Sequence, residues 1–210
     1  MRLPAMLACA GLMLAGCHSP TSATSSESDL DLARTCWPVA SAKALQNKDF
    51  GIADMGEIVA YASIVAKAQP GSALITDKIG KVMGTPLSDA DKKRLSTNLD
   101  TYQTQCRARF PVAAGTAAPT LPSDPVDRTL WCLMAATFLD KAMQGAGKSD
   151  YPQKAQVGRV LRTAIASLDK RAAAAKGIAS QADFNAYRDR QADALFANRL
   201  DRVVAACPAQ

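Results

Sequence analysis

Hydrophobic positions along most of the chain are three or four residues apart, which is the spacing of amphipathic helices. In the first half, one such stripe consists of Met55, Ile58, Val59, Ala62 and Val65. In the second half, the corresponding stripe consists of Val157, Val160, Leu161, Ala164 and Leu168. Polar and apolar residues do not alternate over any length, as they would in half-buried strands. The pattern therefore predicts an all-α fold.

The pattern before the second cysteine of each half is repeated, which indicates an internal duplication. With the same 4-3-4 spacing, the two series are Leu95, Leu99, Tyr102, Cys106 and Phe196, Leu200, Val203, Cys207. Trp37 follows Cys36, Trp131 precedes Cys132, and a glycine, Gly56 or Gly158, lies near the start of each middle helix. We expect two related helical units, residues 28–110 and 126–210, joined by a proline-rich linker at 111–125.

Helix boundaries are marked by polar residues and glycines. Ser88 and Ser180 are each followed three residues later by an acid, Asp91 or Asp183, which predicts a capped N-terminus for the final helix of each unit. A short additional helix is predicted around residues 73–83 of the first unit. Each unit thus contains at least three helical segments.

Composition narrows the possible chemistry. The 210 residues are 48% hydrophobic and include one histidine, which excludes most metal sites and the nucleophile–histidine arrangements of many hydrolases. The formal charge of +6 is mixed along the helices, as in Arg188, Asp189 and Arg190, with no block of lysine or arginine. We therefore expect no metal, no cofactor and no nucleic-acid partner.

The N-terminus predicts export and lipidation. Residues 1–16 contain one basic residue, Arg2, and an apolar run too short to span a bilayer permanently. The run leads into the tetrapeptide Leu14-Ala15-Gly16-Cys17. This tetrapeptide resembles the lipobox of bacterial lipoproteins, which implies that the signal peptide, residues 1–16, is removed and that Cys17 carries the lipid.

The resemblance to lipoproteins also implies a location. Residues 17–27 form a tether rich in serine and threonine. The position after the lipidated cysteine is His18, and not the aspartate that often marks retention in the inner membrane. We therefore expect the protein at the periplasmic face of the outer membrane, held there by several acyl chains. A catalytic role for His18 is not expected beside such an anchor.

Four cysteines remain in the body of the protein, Cys36, Cys106, Cys132 and Cys207. An oxidising periplasm and an even count favour two disulfides. The duplication favours Cys36–Cys106 and Cys132–Cys207. This pairing requires more than three helical segments, or broken ones, in each unit, because the first and last ends of an up-down-up bundle lie too far apart. The alternative pairing, Cys106–Cys132 with Cys36–Cys207, stays open.

No catalytic motif is found. Patterns for a phosphate-binding loop, a zinc protease or a nucleophilic serine are absent. A hydrolase based on carboxylates would have to use a residue such as Glu57, the only acid within the apolar repeat of its helix, but we expect Glu57 to lie on the helix surface. Trp37 and Trp131 suit stacking on a sugar or peptidoglycan, although packing against the disulfides is favoured. We predict that the protein is not an enzyme.

These features together favour a binding protein. The anchored, disulfide-bonded helical body is similar in general make-up to small helical immunity proteins of bacterial secretion systems. The similarity implies a protein partner, such as a periplasmic toxin or a lytic enzyme. The alternative is a structural or assembly lipoprotein of an envelope complex, and a third hypothesis is a cell-wall hydrolase that uses Glu57.

Overall fold

The computed structural model describes residues 25–71, 73–115 and 118–208, and 75% of the chain is helical. The described residues contain no strand, so the predicted all-α fold is confirmed. The helices are α1 (Ser25–Gln46), α2 (Ile52–Ala68), α3 (Ile75–Gly84), α4 (Asp89–Arg109), α5 (Pro111–Ala114), α6 (Pro125–Gly145), α7 (Lys154–Ser167), α8 (Lys170–Ala175), α9 (Gln181–Leu195) and α10 (Leu200–Ala206). The signal segment, Cys17, His18 and most of the tether lie outside the described residues.

Helix α2 is the centre of the molecule. It is buried on nearly all sides and packs against α1, α3 and α5 of the first half and against α6 and α10 of the second. A helix that is apolar around most of its circumference is stable only when other helices cover it. The two halves therefore share one continuous hydrophobic core. The division into two units stays a prediction.

The two disulfides join the cysteines that the duplication pairs. Cys36 of α1 is bonded to Cys106 of α4, with the Cα atoms 5.6 Å apart. Cys132 of α6 is bonded to Cys207, which directly follows α10, at 5.8 Å. The first half has four helices before its bridge closes, as the geometric argument requires, and the alternative pairing is wrong.

The predicted helix starts are also found. The Ser88 hydroxyl accepts a hydrogen bond from the Asp91 backbone N–H at the start of α4. Ser180 and Asp183 form a reciprocal capping box at the start of α9. The additional helix predicted around residues 73–83 is α3. Within the predicted linker, the short helix α5 packs against α2 and α4.

The final helix of the second unit is split, although the 4-3-4 spacing suggests a continuous one. Helix α9 ends at Leu195 and α10 begins at Leu200, with Arg199 in an extended conformation between them. In the first half the kink lies at Asn98, directly before Leu99, and α4 continues past it. Both breaks thus precede a Leu-Asp pair, but the duplication itself stays a prediction. The side chain of Arg199 explains the break, as described below.

No helix in the described part of the chain is both long enough and apolar enough to cross a bilayer.

Candidate functional site

A groove of about 950 Å³ lies between α3, α6 and α9. Its floor and walls are mainly apolar, with Ile79, Met83, Leu133, Met134, Phe138 and Phe184 among the lining residues. Met83, Leu133, Phe138 and Phe184 are only partly buried although they pack against the core. A large apolar groove of this kind is the usual form of a binding site.

The charged groups that line the groove are all basic. Lys141 on α6 and Arg188 on α9 both line it, and no aspartate or glutamate does so. Arg188 also donates two hydrogen bonds to the neighbouring Asp189, at 3.0 and 2.9 Å. The groove therefore presents an apolar surface with the cationic Lys141 and with Arg188, whose charge Asp189 offsets in part, and this surface suits an apolar ligand that carries negative charge.

A buried ionic cluster lies on another part of the core, and it corrects the expectation for Glu57. Only 7% of Glu57 is exposed, so it is not a surface residue of α2. Its two carboxylate oxygens accept hydrogen bonds from Nε and Nη2 of Arg107, at 3.1 and 2.9 Å. This bidentate ion pair satisfies the carboxylate and ties α2 to α4. The apolar spacing of α2 could not reveal this partner, which is 50 residues away in sequence.

Arg199 joins this cluster from the second half. Its Nε donates to Oδ1 of Asp201 at 2.7 Å, and its Nη1 lies 3.9 Å from Oε2 of Glu57. The remaining donors reach the carbonyl oxygens of Ala113 in α5, at 3.1 Å, and Ala53 in α2, at 2.6 Å. The extended backbone at Arg199 lets one guanidinium bind α2, α5 and the start of α10 together. This residue was not singled out by the sequence, and only its position before the second Leu-Asp pair marks it.

Two glycines make room for the cluster. At Gly115, which has a left-handed φ of 75°, an added Cβ would lie 2.5 Å from Nη1 of Arg199. At Gly56 an added Cβ would overlap Oδ1 of Asp201. Gly56 therefore allows close approach between α2 and the carboxylate that Arg199 holds.

We expect Gly56→Ala to lower the free energy of unfolding by about 2 kcal/mol, because the added methyl group displaces a buried ion pair. Gly158→Ala is the matched control, since Gly158 occupies the corresponding place in α7. Its Cβ would lie 3.4 Å from the exposed Arg162 guanidinium, so alanine should instead stabilise the helix by about 0.5–1 kcal/mol. Urea denaturation of both variants measures the difference, and equal effects would contradict the assigned role of Gly56.

The cluster also predicts a pH dependence. Burial raises the pKa of the Asp201 carboxyl above its usual value, and the attraction of Arg199 offsets this only in part. Between the unfolded and the folded pKa, the native state binds more protons at Asp201 than the unfolded state does. The contribution of Asp201 to stability is therefore present at low pH and is lost as pH rises through the folded pKa.

The test compares the wild type with Asp201→Asn by urea denaturation from pH 3.5 to pH 7. We expect the stability of the wild type relative to the variant to fall as pH rises across this range, because asparagine does not titrate. Asp150→Asn, at an exposed aspartate for which no ion pair is found, is the control and should show no such trend. If the stability of the wild type relative to Asp201→Asn instead increased with pH, the assigned direction of the Asp201 pKa shift would be contradicted.

The structure places the tryptophans in the core or against it. Trp131 is buried, and its indole N–H donates to Oε1 of Gln191 at 3.3 Å. Trp37 is partly buried against the core. The ring of Trp131 is therefore not available to stack on a sugar in this conformation.

No group of three or more metal-ligating side chains occurs within the described ranges. The four cysteines of the body are all in disulfides. The chain matches no family model, no curated protein and no solved structure.

Proposed function

We propose that this protein is an outer-membrane lipoprotein whose body faces the periplasm and binds a protein partner. Most concretely, it acts as an immunity or inhibitor protein against a periplasmic toxin or lytic enzyme. The observation that carries the proposal is the partly exposed apolar groove between α3, α6 and α9. Two disulfides support it, because they stabilise a small exported body and are typical of oxidising compartments.

Attachment to the membrane is tested at Cys17. Cys17→Ser should abolish incorporation of labelled palmitate and release the protein from the membrane fraction, because the thiol is the proposed site of acylation. Cys9→Ser, within the proposed signal peptide, is the matched control and should leave labelling unchanged. Palmitate that remains on the Cys17→Ser protein would refute the anchor.

Partner binding is tested with residues 18–210, which include every described residue. The purified chain is used to capture proteins from periplasmic extract and from the medium of competing strains, and retained proteins are identified by mass spectrometry. We then expect it to inhibit the retained toxin or lytic enzyme. Retention of envelope-complex subunits alone would favour the structural or assembly role, and retention of no protein would refute partner binding.

A further inference from the structure

Three helix faces are directed into the groove at regular spacing. The faces of α3 and α9 contribute lining residues about three or four positions apart, such as Ile79 and Met83 on α3 and Phe184 and Arg188 on α9. The longest face, on α6, extends from Leu133 to Gly145 and is about 20 Å long at 1.5 Å per residue. The groove is thus as long as three to four turns of helix.

The groove is open to solvent along its edges. Gly80, Gly84, Lys141, Gly145 and Gln181 are all exposed, and the apolar floor between them is partly exposed. An open, wide groove suits the apolar face of a helix, whereas a single acyl chain is better covered in a narrow, closed tunnel. The methionines of the lining, Met55, Met83 and Met134, have flexible thioether side chains that adapt to the shape of a ligand.

The glycines of the groove have no role in packing within the chain. A Cβ built on Gly80, Gly84 or Gly145 meets no atom within 4 Å, and none of the three has a left-handed φ. Glycine inside a helix, as Gly80 is in α3, lowers helix stability relative to alanine. Each of these glycines instead leaves open space at the groove, in which a second backbone can approach closely.

The charge of the groove indicates the chemistry of its ligand. Lys141 and Arg188 line it without any acidic lining residue, although Arg188 is paired with Asp189 at the edge of the groove. The remaining positive charge, chiefly that of Lys141, is complementary to a ligand with negative charge beside its apolar surface.

We propose that the groove binds an amphipathic α-helix of the partner protein, with acidic residues flanking its apolar face. This inference rests on the proposed function, since it assigns the surface and the chemistry by which the partner is held. It corresponds to the recognition mode in which apolar side chains at i, i+3, i+4 and i+7 of a helix enter a groove.

The probes are two designed 16-residue helical peptides with leucines at these positions, one with glutamates and one with lysines on both flanks. Each carries a fluorophore, and its binding to residues 18–210 is measured by fluorescence anisotropy at two salt concentrations. We expect the glutamate peptide to bind at least tenfold more tightly than the lysine peptide. The preference should decrease at high salt because the charges are exposed.

Charge reversal in the groove provides the first set of variants. Lys141→Glu combined with Arg188→Glu should reverse the preference in favour of the lysine peptide. Lys93→Glu combined with Arg159→Glu changes the net charge equally on exposed positions outside the groove lining and should preserve the preference for the glutamate peptide. If both pairs of substitutions changed the peptide preference equally, the groove would not be the binding site of the peptides.

The glycines provide a second test that separates binding from folding. Gly80→Ala should raise the thermal unfolding midpoint. It should also weaken the binding of the glutamate peptide at least fivefold, because the methyl group lies where the peptide backbone approaches. Gly158→Ala, in a helix that does not line the groove, should raise the midpoint without affecting binding. A Gly80→Ala protein that is more stable and binds as tightly as the wild type would contradict the proposed approach of a helix.

Other results would also overturn the inference. Failure of both peptides to bind, or binding of dodecanoate in place of either peptide, would assign the groove to no ligand or to a lipid. If the charge-reversed protein still captured and inhibited the native partner, the groove inference would fail while the proposed function stood. If the wild type captured no protein, the proposed function would fail, and the peptide measurements would still decide whether the groove holds an acidic helix.

Discussion

Replacing Arg199 by methionine should lower the free energy of unfolding by about 3–5 kcal/mol, because it leaves the buried carboxylate of Asp201 without its main counter-charge. Glu57, Arg199 and Asp201 are each only 7% exposed, and Arg199 is the residue that connects the two acids. The same substitution removes the hydrogen bonds from the guanidinium to the carbonyl oxygens of Ala53 and Ala113. Because these contacts join α10 to α2 and α5, their loss should loosen the contact between the two halves.

Urea denaturation at pH 7 measures this effect. Arg202→Met is the matched control, because Arg202 is half-exposed and lies 4.0 Å from the same carboxylate of Asp201. An exposed ion pair contributes at most about 1 kcal/mol, so the control should change stability little. Arg199→Lys should recover only part of the loss, since one ammonium cannot reproduce the fork of the guanidinium. Equal losses for Arg199→Met and Arg202→Met would contradict a central role for Arg199.

Removal of both charges of the Arg199–Asp201 pair distinguishes between two explanations of this loss. In the double variant Arg199→Met, Asp201→Asn, the uncompensated carboxylate is gone, while Glu57 keeps its ion pair with Arg107. We expect the double variant to be more stable than Arg199→Met alone, because the unpaired charge accounts for most of the cost. A double variant that is less stable than Arg199→Met would show instead that the lost packing and hydrogen bonds dominate.

Loss of either disulfide should lower the free energy of unfolding by about as much as Arg199→Met does. Replacing Cys132 and Cys207 together by alanine removes a link across 75 residues, and replacing Cys36 and Cys106 removes one across 70. In the chain-entropy model each link lowers the entropy of the unfolded chain by an amount worth about 4 kcal/mol. The body is small and poor in aromatic residues, so we expect the variant that lacks both disulfides to be largely unfolded at 37 °C.

The midpoints of urea denaturation of the two single-disulfide variants measure this contribution. Wild type treated with dithiothreitol should reproduce the variant without disulfides, which controls for the alanine substitutions themselves. A loss below about 1 kcal/mol for either pair would contradict the model, because loops of these lengths should restrict the unfolded chain strongly.

Features that depend on local sequence were predicted correctly. Ser180 and Asp183 form a capping box because both partners lie within one turn, so their spacing alone specifies the contact. The all-α fold follows in the same way from the apolar spacing of each helix. Comparison of the two halves of the chain favoured the disulfide pairs that are found, but it left the alternative pairing open until the structure decided between them. The requirement for a fourth helix was met by α3 in the first half.

The ionic cluster could not be predicted, because its members come from distant parts of the chain. Glu57 was expected on the surface since a carboxylate is rarely buried, and nothing within α2 indicates its partners. Its burial depends on Arg107 of α4 and on Arg199, whose contact with Ala53 spans 146 residues. The break between α9 and α10 was missed for the same reason, because the apolar spacing continues through it.

The sequence by itself determined the all-α fold and the capped starts of α4 and α9, and it favoured the cysteine pairing that the structure confirms, since these features follow from residues close in the chain or from a repeated pattern. Only the tertiary structure decided where the groove lies and which of its residues are exposed. From the sequence alone, Gly80 and Gly84 are explained as the end of a helix. Their position at the groove becomes apparent only when α6 and α9 are placed beside α3. A binding surface built from three helices depends on how those helices pack, and packing is set by contacts that no single helix contains.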